Sequence, residues 1–304
     1  MKRNVLISGG TGFIGKHLTQ LLVEKGFSVS ILSRTEKKNT EDISYYKWDI
    51  DKKYIDENAV LNADYIVHLA GEAIADKPWT TKRKEVIVQS REQSAQLIYD
   101  ALKKNNKKPE AFISASGIGI YGAINSSVIC TENTPPANDF LGTTCQKWEA
   151  AADRMVDLGI RVVKIRTGLV LGKDEGFLKK LAPIFKFRLG SGLGSGKQYM
   201  PWIHIDDLCA IYLEAINNPN MTGAYNAAIN DNTTNTVFSK TLAKIFGYSI
   251  WLPNVPAFLL KIVLGEMAQI VLTGQRVSSE KIENTGFKFQ FFNLEQAVRD
   301  CLLK

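Results

Sequence analysis

A doubly wound α/β fold, a parallel sheet covered by helices on both faces, is predicted by three features of this 304-residue chain. Short, nearly continuous apolar runs alternate with amphipathic helical stretches through the first half, the pattern of parallel strands buried on both sides. The first run ends in Ser8-Gly-Gly-Thr-Gly-Phe-Ile-Gly15, with a helix directly behind it. After Gly172 the alternation breaks into a glycine-rich loop, short strands and helices. Together these describe a Rossmann-type sheet carrying a smaller C-terminal α/β substrate region.

Taken in order, residues 5–7 are an apolar strand and 16–25 an amphipathic helix. Phe27-Ser-Val-Ser-Ile-Leu-Ser-Arg34 alternates as a second strand over 28–32, and residues 45–48 supply a third. Asp64-Tyr-Ile-Val-His-Leu69 is a buried strand, followed by a long helix over 82–104 whose lysine-rich end, 103–108, is solvated. Ala111-Phe-Ile-Ser114, a helix across 141–158 and Arg161-Val-Val-Lys-Ile-Arg166 complete the sheet signals. The final unit, 251–304, carries helices, a short strand over 287–292 and a closing helix over 294–303. No internal repeat is visible.

Glycines at 9, 12 and 15 are spaced so that the chain turns sharply and a pyrophosphate can approach bare backbone. Thr11, Phe13 and Ile14 fill the same loop and open a helix whose N-terminal amides and dipole favour phosphate. The end of the second strand selects the dinucleotide. An acidic residue there would bind ribose hydroxyls, whereas this chain places Ser33 and Arg34, with Lys37 and Lys38 close behind. NADP(H) is therefore expected in preference to NAD(H). Asp49 ends the third strand, where its carboxylate either meets the adenine or holds a turn.

Composition narrows the partners. Hydrophobic residues make up 45% and charged residues 23%, as in ordinary globular proteins. The net charge of +7 comes from spread lysines without interleaved aromatics, so nucleic acid is not an expected partner. The most apolar later stretch, 255–272, is broken by Lys261, Gly265 and Glu266, short of the ~20 apolar residues a bilayer span requires. It reads as a core helix pair, and no membrane partner is expected. Cys130, Cys145, Cys209 and Cys301 have neither disulfide-framework nor zinc spacing, and residues 1–15 lack a signal peptide's regions in order. A cytoplasmic protein with reduced thiols is the expectation. A small-molecule substrate is expected as partner, with a homodimer left open. Gly190-Ser-Gly-Leu-Gly-Ser-Gly-Lys197 imitates a nucleotide P-loop, but Ser191 and Gln198 stand where that loop needs glycine and a hydroxyl. It reads as a flexible loop near a substrate pocket.

Further segments carry a family resemblance: His68-Leu-Ala-Gly-Glu72, Ser114-Ala-Ser-Gly-Ile-Gly-Ile-Tyr-Gly122, Cys145-Gln-Lys-Trp-Glu149, Pro201-Trp-Ile-His-Ile-Asp-Asp207, Gly265-Glu-Met-Ala268 and Gly274-Gln-Arg-Val277. With the glycine turn, they make the chain resemble the atypical "epimerase family protein" branch of the extended short-chain dehydrogenase/reductases. That branch is NAD-dependent epimerase/dehydratase-like and ends in a C-terminal domain of unknown function. The resemblance implies an NAD(P)-binding domain over 1–240, with its core about 1–172, and a small domain over 251–304. It implies a cofactor wall at Leu69, Ala70 and Gly71, with Glu72 facing cofactor or pocket. Arg91 falls where relatives often place an asparagine, and Thr167, Gly168 and Leu169 lie along the nicotinamide. Ser116 takes the place of the superfamily serine or threonine that binds a substrate oxygen, with Ser114 as the alternative. His204 and Asp207 fall in a segment that is usually structural.

The superfamily's Tyr-x-x-x-Lys pair, in which lysine lowers the tyrosine pKa, is missing. Leu141 and Cys145 occupy those places, and Tyr121 and Lys147 have the wrong spacing. Cys145 is then either the remaining polar group beside the nicotinamide, as weak acid or redox-sensitive thiol, or a small buried helix residue. His17 and His68 read as packing residues. Two functions follow: an NADP(H)-dependent oxidoreductase or epimerase-like enzyme using Ser116 and Cys145, or a non-catalytic NADP(H)-binding redox-responsive regulator or scaffold.

Overall fold

The computed structural model describes residues 2–173 and 175–303. In chain order the first half runs β1 (Asn4–Ser8), α1 (Phe13–Glu24), β2 (Ser28–Ser33), β3 (Ile43–Asp49), β4 (Tyr54–Ile55), α2 (Glu57–Leu61), β5 (Tyr65–His68), α3 (Thr81–Lys104), β6 (Ala111–Gly117), β7 (Asn125–Cys130), α4 (Phe140–Asp153) and β8 (Arg161–Thr167). The second half runs β9 (Leu169–Leu171), α5 (Gly176–Lys186), β10 (Trp202–His204), α6 (Ile205–Asn217), β11 (Gly223–Ala227), α7 (Asn235–Ile245), α8 (Ala257–Leu264), α9 (Gln269–Leu272), β12 (Gly274–Val277), α10 (Glu280–Glu283) and α11 (Leu294–Leu303).

The central sheet has the order β11-β8-β6-β5-β1-β2-β3-β4, parallel throughout except for the short β3–β4 pair. Alternate residues of each strand feed opposite layers. Ile7, Ile31 and Val67 meet Leu18 and Leu22 of α1 and Leu208 and Tyr212 of α6 on one face. Leu6, Leu32 and Ile66 meet Ile98 and Leu102 of α3 on the other. This is the doubly wound arrangement that the apolar runs require. The chain crosses from β1 to β2 on one side and to β5 and β6 on the other. The switch therefore falls at the C-terminal end of β1, where such sheets bind ligands.

Four expectations change. Residues 287–292 form no strand, because Asp207 at the start of α6 accepts from the amides of Gln290 and Phe291 at 2.7 and 3.0 Å and holds the segment instead. The helix from Phe140 tightens into a 3₁₀ turn after Asp153. Residues 255–272 are no core helix pair: none of α8 is buried. The loop over 190–197 is also tethered, with Leu193 N donating to Asn235 Oδ1 at 2.7 Å and Gln198 Nε2 to Leu193 O at 3.0 Å. Among the described residues no helix is long and apolar enough to cross a membrane.

Candidate dinucleotide site and its neighbourhood

The turn between β1 and α1 is built by what its glycines lack. Gly9 has φ +75°, and a Cβ on it would lie 2.9 Å from the carbonyl carbon of Leu69. A Cβ on Gly15 would lie 2.3 Å from Gly9 O, so helix and turn are in backbone contact. Gly12 differs, since a Cβ there would meet only Gly9 O, at 3.4 Å, and otherwise open space among the described residues. No side chain caps α1 and its first turn carries no acid, which leaves its amides to a ligand. Phe13 packs against Gly172 and Gly176, and Ile14 joins the core beside α6. The bare cradle and the uncapped helix fit a pyrophosphate.

On one side of this turn lies the end of β2. Arg34 and Lys37 are exposed, and Lys37 Nζ sits 5.7 Å from the centroid of the Tyr45 ring. A cavity of about 440 Å³ lined by Gly10, Thr11, Lys16, Lys37 and Tyr45 opens here. Asp49 accepts from Lys52 N at 3.1 Å, so its carboxylate holds a turn.

On the other side lie the ends of β5, β6 and β8. Leu69 N donates to Ser8 O at 3.0 Å, and Ala70 follows against the sheet. Gly71 admits Arg91, whose Cγ and Cζ would stand 3.2 Å from a Cβ. The carboxylate of Glu72 is held by Arg83 at 2.9 Å. Arg91 is buried, lies 4.6 Å from the Trp148 ring centroid, and donates to the carbonyls of Glu72 and Ile87 at 3.1 and 2.7 Å. Its Nε has no acceptor among the described residues. Burial lowers its pKa from the ordinary value. A buried donor without an acceptor costs about 1–3 kcal/mol unless a ligand satisfies it.

Ser116, the penultimate residue of β6, donates to Glu149 Oε1 of α4 at 2.7 Å. Glu149 accepts from Arg166 Nε and Nη2 at 2.8 and 3.0 Å. Arg166 also donates to the Tyr121 hydroxyl at 3.1 Å, and that phenol donates to Asn226 Oδ1 at 2.6 Å. All five side chains are buried. Desolvation pushes Tyr121 up to about 12, despite Arg166 beside it. Ser114 instead turns its hydroxyl to the carbonyl of Ala115, at 2.9 Å. Cys145 faces Gly117 and Gly119, and desolvation and then Glu149 push its thiol up to about 12. At that value the thiol stays protonated at neutral pH and has little of the thiolate that oxidation requires. Gly168 N and Leu169 N donate to the carbonyls of Ala227 and Pro201 at 3.0 and 2.8 Å, fixing the strand end after Thr167.

His68 is a packing residue, bracketed by Ser8 at 2.7 Å and Ser94 at 3.2 Å. Desolvation lowers its pKa to about 4, so the folded chain keeps it neutral while the unfolded chain takes up a proton near 6.5. Its contribution is therefore complete above about pH 6.5 and falls by up to about 3 kcal/mol as pH drops toward 4. Urea unfolding of wild type and His68→Asn at pH 7 and pH 4.5 checks this. The wild type should lose more stability than the variant, and equal losses would place the acid sensitivity elsewhere. His17 contacts Phe13 O at 3.0 Å within α1. His204 stacks on Phe291, with ring centroids 3.8 Å apart.

Glu149, Arg166 and Asn226 were not singled out from the sequence as site residues. Arg166 left one faint signal, a charge at the C-terminal end of β8, blunted by Arg161 and Lys164 in the same strand.

A family model for the NAD dependent epimerase/dehydratase family matches residues 5–228, and one for a domain of unknown function matches 255–301. Epimerase family protein YfhF of Bacillus subtilis is 34% identical over 303 residues, covering 98% of each chain. Epimerase family protein SH2119 of Staphylococcus haemolyticus is 35% identical, covering 99% of each. The human epimerase family protein SDR39U1, solved with NADPH, is 31% identical with a TM-score of 0.87, covering 99% of each chain. A nucleoside-diphosphate sugar epimerase from Corynebacterium glutamicum is 29% identical with a TM-score of 0.80, covering 99% of this chain and 58% of that one. With its doubly wound sheet and its bare glycine cradle at the switch point, the chain belongs to the NAD dependent epimerase/dehydratase family.

Proposed function

We propose that the protein is an NADP(H)-dependent oxidoreductase or epimerase-like enzyme acting on a small molecule, with NADP(H) preferred over NAD(H). The observation that carries this reading is the open side of Gly12 before an uncapped helix. Lys37, which lines the cavity, and Arg34, exposed just past β2, support contact with a 2′-phosphate. The human relative's NADPH supports the same preference. Gly9, Thr11, Phe13, Ile14 and Gly15 shape the phosphate turn, and Asp49 borders the adenosine end. Leu69, Ala70, Gly71 and Glu72 wall the other half, Thr167, Gly168 and Leu169 flank it, and the unsatisfied Nε of Arg91 offers it a donor.

The cofactor, when bound, supplies the hydride chemistry. The chain's part is to orient the substrate and polarise its oxygen. With its proton on Glu149, the Ser116 hydroxyl accepts a hydrogen bond from a substrate O–H, and by rotating it donates to a carbonyl. Cys145, protonated throughout the neutral range, acts as a weak donor beside Gly117. The missing Tyr-x-x-x-Lys pair, with Leu141 and the buried Cys145 in its places, favours a second reading, a non-catalytic NADP(H)-binding regulator. Loss of reduced-nicotinamide absorbance across a panel of carbonyls and activated alkenes separates the two. The enzyme reading expects at least one turned-over substrate and a roughly 10²-fold loss in Ser116→Ala, the scale of removing one oxyanion donor. No turnover with NADPH bound, together with a partner that distinguishes the oxidised from the reduced form, supports the regulator.

A further inference from the structure

The apolar run over 255–272 lies on the surface, and its neighbours are basic. Phe258, Ile262 and Val263 of α8 are 62, 75 and 76% exposed, and only Leu260 and Leu264 on its opposite face are half-buried. Phe187 and Leu189, just past α5, are 75 and 57% exposed, and Trp251 is 68% exposed. The two segments are joined, since the Trp251 indole donates to Arg188 O at 2.9 Å and Val255 pairs with Leu193. Exposed apolar residues are ordinary when scattered, but six on two joined segments mark a contact surface.

Charge identifies what it contacts. Residues 176–205 contain Lys179, Lys180, Lys186, Arg188 and Lys197 and no aspartate or glutamate, and residues 246–265 contain Lys261 and again no acid. Asp76 neutralises Lys180 at 3.0 Å, whereas Lys186, Arg188 and Lys261 project from the apolar patch itself. A second copy of the chain fits poorly, because an isologous contact would set these cations against their own images. An anionic bilayer satisfies both features: aromatic and aliphatic side chains enter the headgroup–acyl boundary while lysine and arginine meet lipid phosphates. We propose that α8 and the chain following α5 form a docking surface for an anionic lipid bilayer, on which the protein rests without spanning it. Docking through this surface does not depend on the reading given to the dinucleotide site.

Co-sedimentation of the full chain with phosphatidylcholine vesicles, with and without phosphatidylglycerol, tests the proposal. Binding is expected to the anionic vesicles, to weaken with salt, and to shift the emission of Trp251 to the blue. Phe258→Ser/Ile262→Ser should lower partitioning by about a hundredfold, from roughly tenfold per large apolar side chain. Arg188→Glu/Lys261→Glu, equally exposed, should lower it by at least about tenfold and serves should the first variant fold poorly. Equal partitioning onto neutral and anionic vesicles, or none onto either, overturns the proposal. So does a concentration-dependent dimer in sedimentation velocity that Phe258→Ser/Ile262→Ser abolishes, which would assign the face to a second copy.

Discussion

Gly12→Val is expected to abolish dinucleotide binding in a chain that remains folded, whereas Gly15→Val is expected to damage the fold itself. The contrast follows from where each new side chain points. At Gly12 the backbone has φ −81°, which any residue adopts, and the nearest described atom to a Cβ is 3.4 Å away. The stability cost should stay within about 1 kcal/mol, while the isopropyl group fills the space a pyrophosphate needs. Affinity should fall by more than about a hundredfold, or about 2.7 kcal/mol. At Gly15 a Cβ would meet Gly9 O at 2.3 Å and Gly10 Cα at 2.6 Å, and neither backbone atom can rotate away. A cost of about 3 kcal/mol or more is expected, at the upper end of overpacking. Circular dichroism, urea unfolding and NADPH titration on the same samples separate the effects. Tight binding by a folded Gly12→Val would show that no phosphate approaches this turn.

Arg166→Met should be the most damaging substitution away from that turn. It leaves the Glu149 carboxylate buried without the two donors that now hold it at 2.8 and 3.0 Å, and it removes a donor from Tyr121. Breaking a buried pair from one side costs about 3–5 kcal/mol, and Lys164, whose Nζ lies 4.0 Å from Glu149, holds the cost here to the lower end of that range. Removing both charges is far milder, so Arg166→Met/Glu149→Leu should recover most of the loss. Urea midpoints of the three proteins decide it. Equal destabilisation by the single and double variants would mean that the packing of the arginine stem, and not the stranded charge, sets the cost.

What the sequence revealed was local. Strand, glycine turn and helix follow one another within residues 4–24, so the glycine spacing read together with its flanking strand and helix located the turn. The doubly wound sheet was legible for the same reason, since β1, β5 and the start of β6 are apolar runs, whereas its edge strands β4 and β11 carry no such run and were not expected. The expected strand over 287–292 failed because Phe287, Phe289 and Phe291 alternate as a strand would, yet the donors that would pair with a sheet are taken by Asp207. Residues 255–272 failed differently. Apolarity signals burial, but α8 meets the domain along only one narrow side. The network from Ser116 to Asn226 joins β6, α4, β8 and β11, with partners up to 105 positions apart, and no window of sequence displays such a contact.

The most direct test is a calorimetric titration of the wild type and Arg34→Ala with NADPH and with NADH. NADPH is expected to bind the wild type at least about tenfold more tightly, since a charge-assisted phosphate contact contributes roughly 1.5–3 kcal/mol. Arg34→Ala should lose that margin and leave NADH affinity nearly unchanged. Equal affinities of the wild type for the two cofactors, or binding of neither, would contradict the account.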